Sequence, residues 1–176
     1  MSLRTRLLQN FPLPYVLAIL STSLSAIGFA WLEYYFIQNE GLPFREATSP
    51  TIAFLYPYQL AVFLPLNVLL AFYPAISQAL TKTSSFSSLK RPATLGIGIL
   101  SLSIVFQDSF WFLFRALTPI AADPLAHQWI RPSDYTAGFL GYAQIAGLLI
   151  PLWYIVLFPI ILAAIVSLLI SPPSRS

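Results

Sequence analysis

The stretch Gln107-Asp108-Ser109-Phe110-Trp111-Phe112-Leu113-Phe114-Arg115 sets an acid and a base inside a run that is otherwise apolar. If that run crosses a membrane, both charges are costly and call for an ion or proton site, a bound ligand, or a polar cluster that ties helices together. Asp108, Trp111 and Arg115 fall at intervals of three and seven, so a helix carries all three on one face. Seven residues rise about 10 Å, too far for a tight Asp108–Arg115 pair, so the two have separate jobs. Gln107 is turned by about 100° from Asp108 and is expected to face a different helix. Glu33 lies at a similar depth in the first apolar run, so the two carboxylates and Arg115 are expected to approach one another. His127, the only histidine, lies in the next polar stretch together with Asp123, Trp129, Arg131 and Asp134.

Catalytic chemistry finds little to work with. One histidine plus carboxylates is a poor zinc set, since catalytic zinc takes two or three nitrogen ligands and no His-Glu-x-x-His occurs. Ser109 and Ser133 lack the glycine-flanked turn of a nucleophilic serine. Glu33 with Asp108 lacks the flanking glycines of an aspartyl protease dyad. No catalytic residue, metal site or cofactor is assigned, and an enzyme is the least supported class.

Composition indicates the scaffold that carries these residues. The chain has 176 residues, 57% hydrophobic and 9% charged. A soluble domain carries about 25% charged residues, so this chain belongs in a membrane. The absence of cysteine excludes disulfides, thiol chemistry and iron–sulfur clusters. No basic cluster interleaved with aromatics points to nucleic acid. Continuous apolar runs without alternation favour helices over a barrel. The expected fold is all-α: a polytopic, single-domain bundle of four transmembrane helices. The spans are placed at 13–37, 53–80, 93–117 and 138–170, with outer loops at 38–52 and 118–137. The fourth is longer than one crossing needs, so it is either strongly tilted or lies in the interface near Gly138 and Gly141 before it dives. Arg4 and Arg6 with Gly28-Phe29-Ala30 suggest a signal peptide, but the apolar run is too long for a signal core.

Arg4, Arg6, Lys82, Lys90, Arg91 and Arg175 flank one end of the spans, and every acid lies toward the other. Both termini are therefore expected in the cytoplasm, most simply of a prokaryotic cell. Trp31, Tyr34, Tyr35, Tyr56, Tyr58, Trp111, Trp129 and Tyr135 gather toward the outer face, as an interfacial belt would. Ser21, Ser25 and Gly28 form a small-residue edge for close packing, with Gly96 and Ser103 in a similar role on the third span. Gln59, Asn67 and Gln144 suit interhelical hydrogen bonds. Pro57, Pro65 and Pro74 fall in the second span and Pro151 and Pro159 in the fourth, so those helices are expected to be kinked. The odd spans are free of internal proline, with Pro92 at the start of the third, and the chain reads as two hairpins in tandem.

Three functions fit. In the first, Glu33, Asp108, Trp111, Arg115 and His127 line an outer-leaflet pocket for a lipid or small amphipathic molecule, with Arg115 holding an anionic group. In the second, Asp108 and Glu33 serve as ion or proton sites in a transporter or channel subunit. Four spans make a thin conduit, so this version implies a homo-oligomer or a larger membrane complex. The third is an accessory or assembly subunit whose polar cluster only joins helices.

Overall fold

The structure is a computed structural model that describes residues 13–37, 59–81, 86–117, 129–130, 132, 134, 137 and 140–170. Helix α1 spans Leu13–Leu32 and runs into a π-helical turn at Glu33–Ile37. A second π-helical turn, Gln59–Phe63, opens α2 at Leu64–Thr81, and α3 spans Phe86–Leu117. A hairpin of β1 (Tyr142–Ile145) and β2 (Leu148–Pro151) then leads into α4 (Leu152–Ile170). Leu13–Tyr35, Ala61–Leu80 and Leu89–Leu117 are long and apolar enough to cross a membrane. The chain is thus a mostly helical membrane protein.

Packing sets the helices side by side. Tyr15 of α1, Leu95 of α3 and Ala164 of α4 meet at one level. Ala18, Ala71 and Ile99 join α1, α2 and α3 at the next. Glu33, Gln59 and Gln107 meet toward the far end. Helices α1 and α3 therefore run the same way, and α2 and α4 run against them. Helix α3 touches all three others and forms the centre.

Close approach depends on small residues. The buried stripe of α1 is Ala18, Thr22, Ala26 and Ala30, at steps of four. Of the expected Ser21–Ser25–Gly28 edge, Ser25 meets Asn67 of α2, whereas Gly28 lies exposed with nothing near its missing Cβ. On α3, a Cβ at Gly96 would fall 2.7 Å from the Phe72 ring, and one at Gly98 would fall 2.1 Å from the Ala164 Cβ. We expect Gly98→Ala to lower stability by about 1–3 kcal/mol, because backbone-held Ala164 cannot swing aside. Gly28→Ala should raise stability by up to about 1 kcal/mol through helix propensity alone. Thermal unfolding in detergent reads both, and equal effects would contradict this packing.

Two expectations are corrected. Pro92 does not begin the third helix: α3 starts at Phe86, and Pro92 lies fully buried inside it. The contrast between proline-free odd spans and proline-bearing even spans therefore fails. The residues 138–170 are not one helix either, tilted or otherwise. Ala146 (φ 51°) and Gly147 (φ 83°) turn β1 back onto β2 in the left-handed geometry that a two-residue hairpin requires. Ile145 and Leu148 close the turn, so Pro151, three positions further, pairs with Tyr142 where its ring nitrogen points away from the partner strand. Pro57 lies outside the described residues. Pro65 is the second residue of α2, while Pro74 and Pro159 are internal to α2 and α4.

Candidate functional site

The two π-helical turns lie opposite each other, and each begins with the side chain that joins them. Gln59 Nε2 donates to the Glu33 carboxylate at 3.3 and 3.4 Å. Gln107 of α3 donates to the same carboxylate from the other side. A π turn inserts one extra residue per turn, which rotates the next stretch of helix and re-aims its side chains; such turns recur at functional sites. Glu33 (9% exposed), Gln59 and Gln107 are all buried, so this carboxylate sits between three helices and away from lipid.

One to three turns further along α1, the polar lining continues. Asn67 of α2 donates to Ser25 Oγ at 3.3 Å and to the Phe63 carbonyl at 2.8 Å. The Asn67 Oδ1 and Thr22 Oγ1 atoms are buried without a hydrogen-bond partner among the described residues. Other hydroxyls satisfy themselves on their own helix: Ser101 donates to the Ile97 carbonyl and Ser103 to that of Leu100.

Asp108 occupies a second place. Tyr154 of α4 donates to it at 2.5 Å, and the Ser109 hydroxyl also reaches the Tyr154 oxygen. Asp108, Tyr154 and Trp111 are each only partly covered. Arg115 occupies a third. Its guanidinium is 2% exposed and grips Asp134 with both terminal nitrogens, at 2.9 and 2.7 Å. One of them also donates to the Trp129 carbonyl at 2.6 Å. The guanidinium carbon lies 5.4 Å from the Trp111 ring and 4.8 Å from the Phe112 ring. Arg115 therefore does not snorkel to the interface as its position near a span end suggests, because an acid and two aromatic faces meet it inside. It lies in the last turn of α3, where the helix dipole favours a cation.

No protein-family model matches this chain, and no curated protein or solved structure is similar to it.

Of the residues singled out by type and spacing, Trp111 and Arg115 come together. Glu33 takes Gln59 and Gln107, Asp108 takes Tyr154, and Arg115 takes Asp134. His127 lies outside the described residues, as do Asp123 and Arg131. Among the described residues, no three of His, Asp and Glu gather at metal-binding distance. Tyr34 leaves the expected aromatic belt and turns inward at 1% exposure, edge-on to Trp111 at 5.9 Å, while Trp31 stays outward. Gln107 does face another helix, and Gln59 and Asn67 do hydrogen-bond across helices. Tyr154 carries no sequence signal that separates it from its apolar neighbours. Asp134 carries only a general one: a buried Arg demands an acid, and the sequence does not say which.

Proposed function

We propose that the chain is a four-span membrane protein, with both termini cytoplasmic in a prokaryotic cell membrane, that works as a subunit of an oligomeric transporter or channel. In this reading Glu33 carries a proton. The supporting observation is the Glu33 carboxylate held between Gln59 and Gln107. A glutamine amide offers two N–H donors on one side and a carbonyl acceptor on the other. When Glu33 is ionised both amides donate to it, as they do here. When Glu33 is protonated, a flipped amide accepts the new O–H. Either state keeps its hydrogen bonds, so a proton can arrive and leave without an unpaired polar group in the apolar interior.

The fourth span is α4. Its 19 residues extend about 28 Å, close to the ~30 Å hydrocarbon core. Apart from Trp153 and Ala164 its surface is mostly open, which suits lipid or a second subunit. The basic residues at the end where α1 and α3 begin favour the cytoplasm for that side. Proton flux into proteoliposomes tests the reading. Glu33→Gln should abolish it, and Gln107→Leu should slow it severalfold. A wild-type protein that passes no protons, or a Glu33→Gln variant with full flux, sinks the idea.

A second reading is favoured by the partly open Asp108–Tyr154 pair beside Trp111. A lipid or small amphipathic molecule would lay its apolar part on the aromatics there. Because Asp134 already neutralises Arg115, the head group would meet Asp108 and so carry an ammonium or hydroxyl donor. Loss of a co-purifying amphipath in Asp108→Asn, with flux unchanged by Glu33→Gln, would select this reading.

A further inference from the structure

We propose that Arg91 and Tyr15 form a binding site for the phosphodiester head group of an anionic phospholipid, at the membrane face where α1 and α3 begin. This site lies at the opposite end of the helices from Glu33 and Asp108 and stands independently of either reading above.

Arg91 lies one turn inside the start of α3, and its side chain is half-buried. Its Nε is buried and has no hydrogen-bond partner among the described residues. A buried donor left unpaired costs on the order of 1–3 kcal/mol, so its retention calls for an acceptor from beyond the described residues. Tyr15, in the first turn of α1, is within electrostatic range of the Arg91 guanidinium. Its ring packs on Leu95 and Ala164, so the residue is fixed where α1, α3 and α4 converge. Guanidinium and phenol together present N–H and O–H donors with one positive charge, the set that matches a phosphodiester.

The position fits as well. Lys90, the next residue back, is exposed, whereas Leu95 is buried among apolar side chains. Arg91 thus sits next to exposed Lys90 and near the start of the membrane-length apolar stretch Leu89–Leu117. Basic pockets between helices on the cytoplasmic side hold anionic head groups. Pro92, fully buried, fixes the backbone next to Arg91. Lys90 is the internal control. It carries the same charge one position away, but it is exposed and offers only diffuse attraction.

The full-length protein is purified in neutral detergent, reconstituted with phosphatidylcholine alone or with added phosphatidylglycerol, and examined by native mass spectrometry and thermal unfolding. The wild type should retain phosphatidylglycerol and unfold at a higher temperature in its presence. Arg91→Gln should weaken retention by at least roughly tenfold, the value of a charge-assisted hydrogen bond. Lys90→Gln should weaken it no more than about fivefold, the value of one basic residue near a charged surface. Equal losses from the two variants would overturn the site, because charge alone would then account for binding. Equal stabilisation by inorganic phosphate would overturn the lipid assignment in favour of a free anion. Should Arg91→Gln fail to fold, Tyr15→Phe decides: it keeps the ring and removes only the hydroxyl, and unchanged retention would refute the proposal.

Discussion

Replacing Asp134 by Ala should destabilise the protein by about 3–5 kcal/mol, and more than replacing Arg115 by Leu. The asymmetry follows from burial. Arg115 is 2% exposed and Asp134 15% exposed at their side chains. Removing the acid strands a cation that neither water nor lipid can reach. The Trp129 carbonyl and the Trp111 and Phe112 faces remain, and together they recover only part of the loss, on the order of 1–2 kcal/mol for the ring contacts. Removing the cation instead strands an acid that has some access to water. The double variant Arg115→Leu/Asp134→Ala should regain at least half of the Asp134→Ala loss, because apolar replacement of a whole buried pair is often neutral. Unfolding in detergent measures the cycle. Additive losses would show that the contact is not a coupled pair. Because Arg115 also holds the Trp129 carbonyl, the Asp134→Ala variant should in addition alter tryptophan emission, as the cluster of Phe112, Ile130 and Ala137 loosens.

The Arg115–Asp134 pair also marks where sequence reading reaches its limit. The depth of Arg115 follows from hydropathy, and its face follows from the helical repeat. Its partner does not, because the 19-residue separation passes through a polar stretch whose path no periodicity describes. The three long helices are legible for the opposite reason: long, mostly apolar runs about Leu13–Tyr35, Ala61–Leu80 and Leu89–Leu117 have no other stable form in lipid. Hydropathy places the start of α3 too late because Pro92 resembles a first-turn proline, whereas tertiary packing tolerates it deeper in the helix. The hairpin at Tyr142–Pro151 is hidden because a short apolar run looks the same as strand or helix. Gly141 (φ 84°) and Gly147 are its only local marks, and glycine is common in membrane helices too. Gly98 is inconspicuous for the same reason, although it allows a very close approach of α3 and α4. The π turns are the least legible of all. One extra residue per turn leaves hydrophobicity unchanged, yet each turn begins at one of the two residues that join them, Glu33 and Gln59.

That meeting gives a result that separates a working proton site from a structural clamp. Glu33→Gln should change stability by less than about 1 kcal/mol, because an amide in the same place can still accept from Gln59 and Gln107 through its oxygen. Glu33→Leu should cost about 2–6 kcal/mol. The lower bound comes from the three hydrogen bonds at Glu33, each worth about 0.6 kcal/mol as interhelical bonds in membranes average. The upper bound comes from leaving two buried amides without an acceptor at about 1–3 kcal/mol each. The triple change Glu33→Leu/Gln59→Leu/Gln107→Leu should recover much of that loss, since no orphaned donor remains. The decisive comparison is Glu33→Gln, measured for both unfolding and flux. Retained stability with flux abolished identifies a proton carrier, because only the titrating group has been removed. Retained stability with retained flux removes Glu33 from any transport role. Severe unfolding of Glu33→Gln would show that the site needs a full negative charge, and the amide pair would then be a clamp built for the ionised form alone.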